Sequence, residues 1–196
     1  MFLRKRNLNR GFTLVELLVT ISIFVILTGV VLFNQSKFNS TILLTNLAYD
    51  TALTIRQAQN YGINIKEFNT GTGANSVFVP YGVHFDNTAN KSFILFADLD
   101  SNGIFSGTTL TNCDPLVGCV NRYSIKRGNS IEGLYVNGNL DTKKDKLDIT
   151  FKRPNPDAII MADGATANSA TIILKGVDGS TRKVNVQANG LIEILQ

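Results

Sequence analysis

The sequence predicts an α+β protein with a long N-terminal helix followed by an antiparallel β-sheet head. Residues 12–33 carry a single charge, and 16 of these 22 residues are Phe, Leu, Ile or Val. Apolar residues then continue at helical spacing, with no proline before Pro80. From about residue 63 the chain changes to short β-branched segments separated by turn pairs. We therefore divide it into a basic leader (1–11), a helix (12–62) and one β-rich head (63–196).

The basic residues that give the net charge of +4 are concentrated in the leader. Four of the 19 Lys and Arg residues lie there, and the other 15 balance 15 acidic residues. These four are Arg4, Lys5, Arg6 and Arg10. This asymmetry follows the positive-inside rule, so we expect a cytoplasmic N-terminus and an exported chain after about Asn34. It does not favour a polyanion-binding surface.

Residues 12–33 are long enough to form a single transmembrane helix. At about 1.5 Å per residue they span roughly 33 Å, the thickness of a bilayer's hydrocarbon core. A secretory signal would have a shorter apolar region and a small-residue cleavage site, and this sequence has neither feature. A plain signal anchor leaves Glu16 unexplained, because an acid within a membrane segment is costly enough to indicate a function.

The stretch RGFTLVELLV, residues 10–19, resembles the N-terminal signature of type IV pilins and type II secretion pseudopilins. The resemblance covers roughly residues 4–34. It implies that a prepilin peptidase in the cytoplasmic membrane cuts after Gly11 and that the new N-terminal Phe12 is methylated. It also implies extraction from the membrane lipid by an assembly platform into a filament of like or different pilin subunits. The filament would lie in the periplasm or outside the cell.

Cleavage after Gly11 would give Glu16 a partner of opposite charge. The amine of Phe12 is positively charged at neutral pH, and a paired amine and carboxylate each offset the other's desolvation in lipid. Glu16 lies four residues after Phe12, so a pair within one chain is possible. The family resemblance instead implies a pair with the amine of a neighbouring subunit, which would align the two helices during assembly.

The helix is predicted to continue beyond the membrane and to pack one face on the head. Small and apolar residues recur there at helical spacing, with polar residues between them. They are Leu44, Ala48, Thr51, Ile55, Ala58 and Gly62.

Nine short segments of the head are predicted to be strands. They are residues 76–85, 91–98, 121–126, 133–138, 146–153, 158–163, 170–176, 182–187 and 191–195. Five turn pairs favour hairpins. They are Asn102-Gly103, Asn137-Gly138, Asp163-Gly164, Asp178-Gly179 and Asn189-Gly190. Residues 69–76 and 162–170, rich in Ser, Thr, Asn, Ala and Gly, are predicted to be loops.

Cys113 and Cys119 are predicted to form a small disulfide loop. They lie in the exported part and enclose Pro115 and Gly118, which turn the chain. The chain has a single histidine, His84, so a zinc tetrad is not expected.

The segment DLDSNG matches the first half of a calcium loop. Asp98, Asp100 and Asn102 occupy ligand positions one, three and five, and Gly103 occupies the turn position. Position twelve is Thr109, where a calcium loop has a glutamate. We interpret the segment as a hairpin turn stabilised by its Asp and Asn side chains, with a calcium site as the alternative.

The head is similar to the heads of GspH/FimT-like minor pilins in its strand order and a few turns. Some of these relatives bind DNA through basic residues near the C-terminus, and the resemblance implies Arg182 and Lys183 as the candidates. The expected Gly-Arg-x-Arg pattern is absent, because the sequence reads GSTRKV. The neutral mature chain favours solvated strand faces over nucleic-acid binding. A tip adhesin or DNA-uptake minor pilin remains the alternative function.

The sequence predicts neither catalytic residues nor a cofactor. His84 lies in an alternating strand, and we expect it to be partly exposed rather than to act as a general base. The leading hypothesis is therefore a structural one, a filament subunit rather than an enzyme.

Overall fold

A computed structural model describes residues 11–64, 66–69, 77–107 and 112–195, and only the backbone of residues 33–38. It contains one long α-helix and an antiparallel β-rich head, which confirms the predicted α+β class. Helix α1 runs from Leu14 to Ile63. The chain divides into two compact units, the first ending at Asn39 and the second being Ser40–Gln196.

Thirteen strands lie within the described residues. They are β1 (Glu67–Phe68), β2 (Val77–Phe78), β3 (Tyr81–Asp86), β4 (Ser92–Ala97), β5 (Cys119–Ser124), β6 (Ser130–Val136), β7 (Asn139–Lys144), β8 (Lys146–Phe151), β9 (Ala158–Ala162), β10 (Ala165–Ala167), β11 (Ser169–Lys175), β12 (Thr181–Gln187) and β13 (Ile192–Leu195). A short 3₁₀ helix, Pro115–Val117, precedes β5.

The strands form two large antiparallel sheets. The first sheet has the order β10-β9-β8-β3-β4-β5, and the second has the order β13-β12-β11-β6-β7. A separate two-stranded ribbon pairs β1 with β2. Apolar residues at alternating positions of both sheets face one core, shared with the part of α1 that lies in the second unit.

The predicted stripe of α1 is buried in that core. Leu44, Ala48, Thr51, Ile55 and Ala58 are each at most 2% exposed. The small side chains among them allow the sheets to approach the helix closely. At Gly62 there is no room for a side chain, because a Cβ atom would lie 2.3 Å from the carbonyl oxygen of Phe151 in β8.

The turn predictions have mixed outcomes. Asn137-Gly138 and Asp163-Gly164 form two-residue hairpins in which both residues have positive φ. Asn102-Gly103 does not close a hairpin, because β4 ends at Ala97 and β5 begins at Cys119.

The predicted loop at 162–170 is also wrong. The end of β9, all of β10 and the start of β11 lie there. Of the other predicted loop, 69–76, all residues except Asn69 lie outside the described part of the chain.

Candidate functional site

The start of α1 places Glu16 in the first helical turn. The Thr13 carbonyl accepts the helix hydrogen bond of the Leu17 N–H at 3.1 Å, and its hydroxyl oxygen accepts from the Glu16 N–H at 3.2 Å. Thr13 therefore caps the helix, and its spacing to Glu16 is that of a capping box. An acid in the first turn also interacts favourably with the positive end of the helix dipole. This local role of Glu16 was not predicted from the sequence, although a threonine three residues before a glutamate is its signature.

The helix from Leu14 to Leu32 has the length and composition to cross a membrane. Its mean hydropathy is 2.6, and none of it is buried within the protein. Phe12, just before the helix, is 72% exposed. Gly29 alone in residues 11–32 is half-buried, and apart from its chain neighbours and the local helix backbone no atom lies within 4 Å of where its Cβ would be. These apolar side chains are therefore available to lipid or to other helices.

The polar side chains that follow Glu16 in this segment are satisfied locally. The hydroxyls of Thr20, Ser22 and Thr28 each donate to a backbone carbonyl three or four residues earlier, at 2.8–2.9 Å. Such bonds remove the cost of placing a hydroxyl in hydrocarbon. Glu16 is the one ionisable side chain in residues 12–33, so it dominates the electrostatics of this segment.

The two candidate DNA contacts in the head lie on β12 and point to opposite faces of the second sheet. Arg182 is in phase with the buried Val184 and Val186, whereas Lys183 is in phase with Asn185 on the outer face. Both side chains are half-buried. The strand does not present them together on one surface.

Cys113 and Cys119 are joined by a disulfide, with their Cα atoms 5.2 Å apart. Asp114 caps the 3₁₀ helix inside this loop, because its carboxylate accepts a hydrogen bond from the Leu116 N–H at 2.9 Å. Cys119 is buried in a small apolar cluster with Ile94 and Phe96 on the outer face of the first sheet. The disulfide thus ties the connection between β4 and β5 to that face.

The candidate calcium segment begins at the end of β4. Asp98 is 2% exposed, and its Oδ2 accepts a hydrogen bond from the Gly103 N–H at 2.8 Å. Burial, together with the neighbouring Asp100 carboxylate, raises the pKa of Asp98 to about 6. Asn102 donates to Asp100 at 2.6 Å and accepts from the Ile104 N–H at 2.7 Å. Thr109 lies outside the described residues.

His84 is buried, and the expectation of partial exposure is wrong. Its Nδ1 lies 2.7 Å from Asp148 Oδ1, and both residues are less than 5% exposed. Phe105 covers the pair: its ring centroid is 5.2 Å from that of His84, and its N–H donates to Asp148 Oδ1. The connection after β4 folds back over this face of the sheet, which alternation along β3 alone could not reveal.

Within the described residues, no group of three or more His, Cys, Asp and Glu side chains could hold a metal ion.

Comparison with known proteins gives a match at the N-terminus. Residues 6–32 match the family model described as the prokaryotic N-terminal methylation motif. No curated protein and no solved structure matches the chain. The matched range contains the predicted cleavage position, Glu16 and all of the exposed apolar helix from Leu14 to Leu32.

Proposed function

We propose that this chain, whose N-terminal motif and apolar helix fit the type IV pilin and pseudopilin family, is a prepilin that becomes a filament subunit. The motif implies assembly with other pilin subunits, and the helix fits membrane anchoring before assembly. In our proposal the chain enters the membrane with its N-terminus in the cytoplasm. Prepilin peptidase then cuts after Gly11 and the amine of Phe12 is methylated. The assembly platform moves the subunit into the filament.

The observation that carries this proposal is the coincidence of the methylation motif with an apolar helix that no part of the described protein covers. The 16 large apolar residues contribute about −5 to −10 kcal/mol to membrane insertion, against roughly +3 kcal/mol for one central acid. The helix therefore inserts with Glu16 in place. The same exposed surface can later pack against other subunits, because both environments are apolar.

In this proposal, Glu16 aligns neighbouring subunits. Thr13 caps the first turn through the Glu16 N–H, and the positive end of the helix dipole stabilises the carboxylate there. The charged amine of Phe12 in an adjacent subunit would neutralise the carboxylate in a medium where each isolated charge is costly. A pair within one chain is the competing arrangement.

The processing step is tested by the intact mass and N-terminal sequence of the membrane-extracted protein. We expect a species that begins at methylated Phe12 in cells with active prepilin peptidase. The protein from the same cells without the peptidase should retain residues 1–11. An unprocessed chain in both strains would contradict the proposal.

The assembly step is tested with Glu16→Gln, which removes the charge and keeps the side-chain size. We expect normal cleavage and membrane insertion, with incorporation into filaments reduced at least tenfold. Thr20→Ala is the matched control, because it removes a locally bonded hydroxyl from the same helix, keeps the acid and should leave incorporation unchanged. Equal incorporation of Glu16→Gln and wild type would refute the role of the charge.

Cross-linking distinguishes the two pairings of Glu16. Dicyclohexylcarbodiimide, which enters lipid, would couple the carboxylate to a nearby amine as an amide. A covalent dimer linked from Glu16 to Phe12 is expected if neighbouring subunits pair. Loss of one water within a monomer would instead identify the pair within one chain.

A further inference from the structure

We propose that a small cavity at the C-terminal end of α1 binds a single phosphate or phosphomonoester group through Lys66, Lys152 and Arg153. The inference is independent of filament assembly, since it concerns the second compact unit alone and is tested by binding to the purified protein.

The cavity is small and lies where the end of α1 meets three other segments. Its volume is about 160 Å³, and its lining includes Gly62, Lys66, Phe78, Ser101, Lys152 and Arg153. At about 30 Å³ per water molecule, it holds roughly five waters. Pockets for drug-sized ligands usually have about 300–1,000 Å³. This cavity therefore has room for one small chemical group rather than for a large molecule.

Every charged residue that lines the cavity is a cation. Lys66, Lys152 and Arg153 are exposed, and within the described part of the chain none of them makes an ion pair. The acids next to lining residues in sequence, Glu67 and Asp100, do not line the cavity. The C-terminal end of α1 contributes the equivalent of about half a negative charge, which three full positive charges outweigh. The cavity therefore attracts an anion.

Buried contacts bring these cations together. Gly62 packs directly on the carbonyl of Phe151, the last residue of β8. Lys152 is the next residue, and Lys66 follows the end of α1, so both reach the same cavity. The hydroxyl of the buried Tyr81 donates to the Lys66 carbonyl at 3.1 Å and ties this segment to the first sheet. The cavity is therefore formed by the folded head and not by surface side chains alone.

Two of the cations lie beside aromatic rings. The guanidinium carbon of Arg153 is 5.8 Å from the centroid of the Phe78 ring, and Lys66 Nζ is 5.3 Å from that of the Tyr61 ring. Stacking on a ring uses the face of a guanidinium group. The N–H groups at its edge therefore remain available to an oxyanion.

A tetrahedral oxyanion with about two negative charges suits this set of donors. Arginine can donate two parallel hydrogen bonds to a phosphate, and lysine acts as a point charge beside it. The hydroxyl of Ser101 can donate a further bond. The loop of Ser101 is tied to the cavity wall, because the Asp98 N–H donates to the Pro80 carbonyl at 2.8 Å. A phosphomonoester carries about 1.5–2 negative charges at pH 7, so it matches three cations better than a carboxylate does.

The test is isothermal titration calorimetry of the full chain in detergent with inorganic phosphate. We expect one site with a dissociation constant of about 10⁻⁴–10⁻³ M, because so small a ligand makes few contacts. Arg153→Gln and Lys152→Gln should each weaken binding by at least about fivefold. Arg122→Gln is the matched control, because it makes the same change at an exposed arginine of β5 outside the cavity and should leave binding unchanged.

Two further ligands identify the source of the phosphate group. Glycerol 3-phosphate carries it on a soluble molecule, and dihexanoyl phosphatidic acid carries it as a lipid headgroup. Each is titrated into wild type and Arg153→Gln, so that partition of the lipid into detergent is subtracted. The ligand that binds wild type more tightly, and loses this advantage in the variant, represents the source.

Tyrosine near-UV circular dichroism shows whether each variant is folded. In wild type, phosphate should also raise the midpoint temperature of this signal, because the cavity exists only in the folded head. The proposal is overturned if phosphate gives no saturable heat, or if acetate binds as tightly as phosphate. It is equally overturned if folded Arg153→Gln and Lys152→Gln both bind as wild type does, or if a short DNA duplex binds and phosphate does not.

Discussion

The N-terminal and C-terminal parts of helix α1 are both rich in apolar residues, but these residues are exposed in one part and buried in the other. From Leu14 to Leu32 the helix is apolar on all sides, and none of it is buried. From Leu44 to Gly62 apolar and small residues occupy one face, and this stripe is buried against the sheets. The comparison shows that apolar content alone does not identify a core residue. The pattern around the helix decides whether the partner is the head or an external apolar medium.

The stability of the head can be measured separately from that of the N-terminal part of α1, because every tyrosine lies in the head or in the part of the helix that packs on it. The chain has five Tyr and no Trp, and every Tyr follows residue 40. They are Tyr49, Tyr61, Tyr81, Tyr123 and Tyr135. The tyrosine near-UV signal of the full chain in detergent therefore follows unfolding of the head, whereas far-UV helicity includes the N-terminal part of α1.

The largest contrast is expected between Ile55→Ala and Ile26→Ala. Ile55 is fully buried, so the truncation should lower the free energy of unfolding of the head by about 2–5 kcal/mol. Ile26 is 66% exposed, and the same truncation there should change it by less than about 0.5 kcal/mol. Urea titration followed by the tyrosine signal measures both values. Equal losses from the two variants would show that the two parts of α1 do not differ as described.

The second contrast is between Gly62→Ala and Gly29→Ala. A Cβ at Gly62 would lie 2.3 Å from a backbone oxygen, so we expect a loss of up to about 3 kcal/mol in head stability. At Gly29 no atom is within 4 Å, and alanine should stabilise the helix by up to about 1 kcal/mol. Thermal unfolding followed by the tyrosine signal should show a lower midpoint for Gly62→Ala, and the far-UV helicity of Gly29→Ala should be retained to a higher temperature than that of wild type. A stable Gly62→Ala variant would contradict the close packing of α1 against β8.

The third test changes the head alone. Opening the bond between Cys113 and Cys119, with dithiothreitol or in Cys113→Ser, should lower head stability by about 2 kcal/mol, because the loop gains freedom in the unfolded chain. Helicity of the N-terminal part of α1 should not change. An unchanged midpoint of unfolding in the tyrosine signal would mean that the disulfide does not restrain the head.

The smallest effect is expected at the start of the helix. Thr13→Ala removes the hydroxyl that accepts the Glu16 N–H bond and should cost about 1 kcal/mol of local helix stability. Amide hydrogen exchange should accelerate in the first turn and remain unchanged after residue 40. Thr20→Ala is the control, because the Thr20 hydroxyl bonds a carbonyl within the helix rather than an end group. Equal amide exchange rates of the first turn in the two variants would show that Thr13 does not cap the helix.

The parts of the fold that were predictable depend on local patterns. The stripe from Leu44 to Gly62 follows from helical spacing, and the turn at Asn137-Gly138 follows from the backbone preferences of those two residues. Strand β7 was missed because Asn139–Lys144 is almost entirely polar, since it is an edge strand that places little in the core. β10 was missed because three small residues pair only with β9.

The candidate sites also differ in whether they depend on local sequence or on contacts between distant segments. The N-terminal methylation motif was predictable because its signature is contiguous in sequence, and the roles of Gly11, Phe12 and Glu16 within it stay predictions. The burial of Asp98 and His84 was not, because it depends on a connection that folds back over the first sheet and on contacts with Phe105 and Asp148 from distant segments. The separation of Arg182 from Lys183 could have been inferred, because adjacent residues of a strand point to opposite faces.

Synthesis of the chain from its N-terminus leaves part of the core without its partners for some time. Ile55 is synthesised early, yet it shares its core with Ile172, Val184 and Ile192 near the other end of the chain. At about 5–20 residues per second, the ribosome needs roughly 7 to 27 seconds to supply these partners. During that interval the stripe of the nascent helix is uncovered, so chaperones that shield apolar segments would act on this protein before its last two strands emerge.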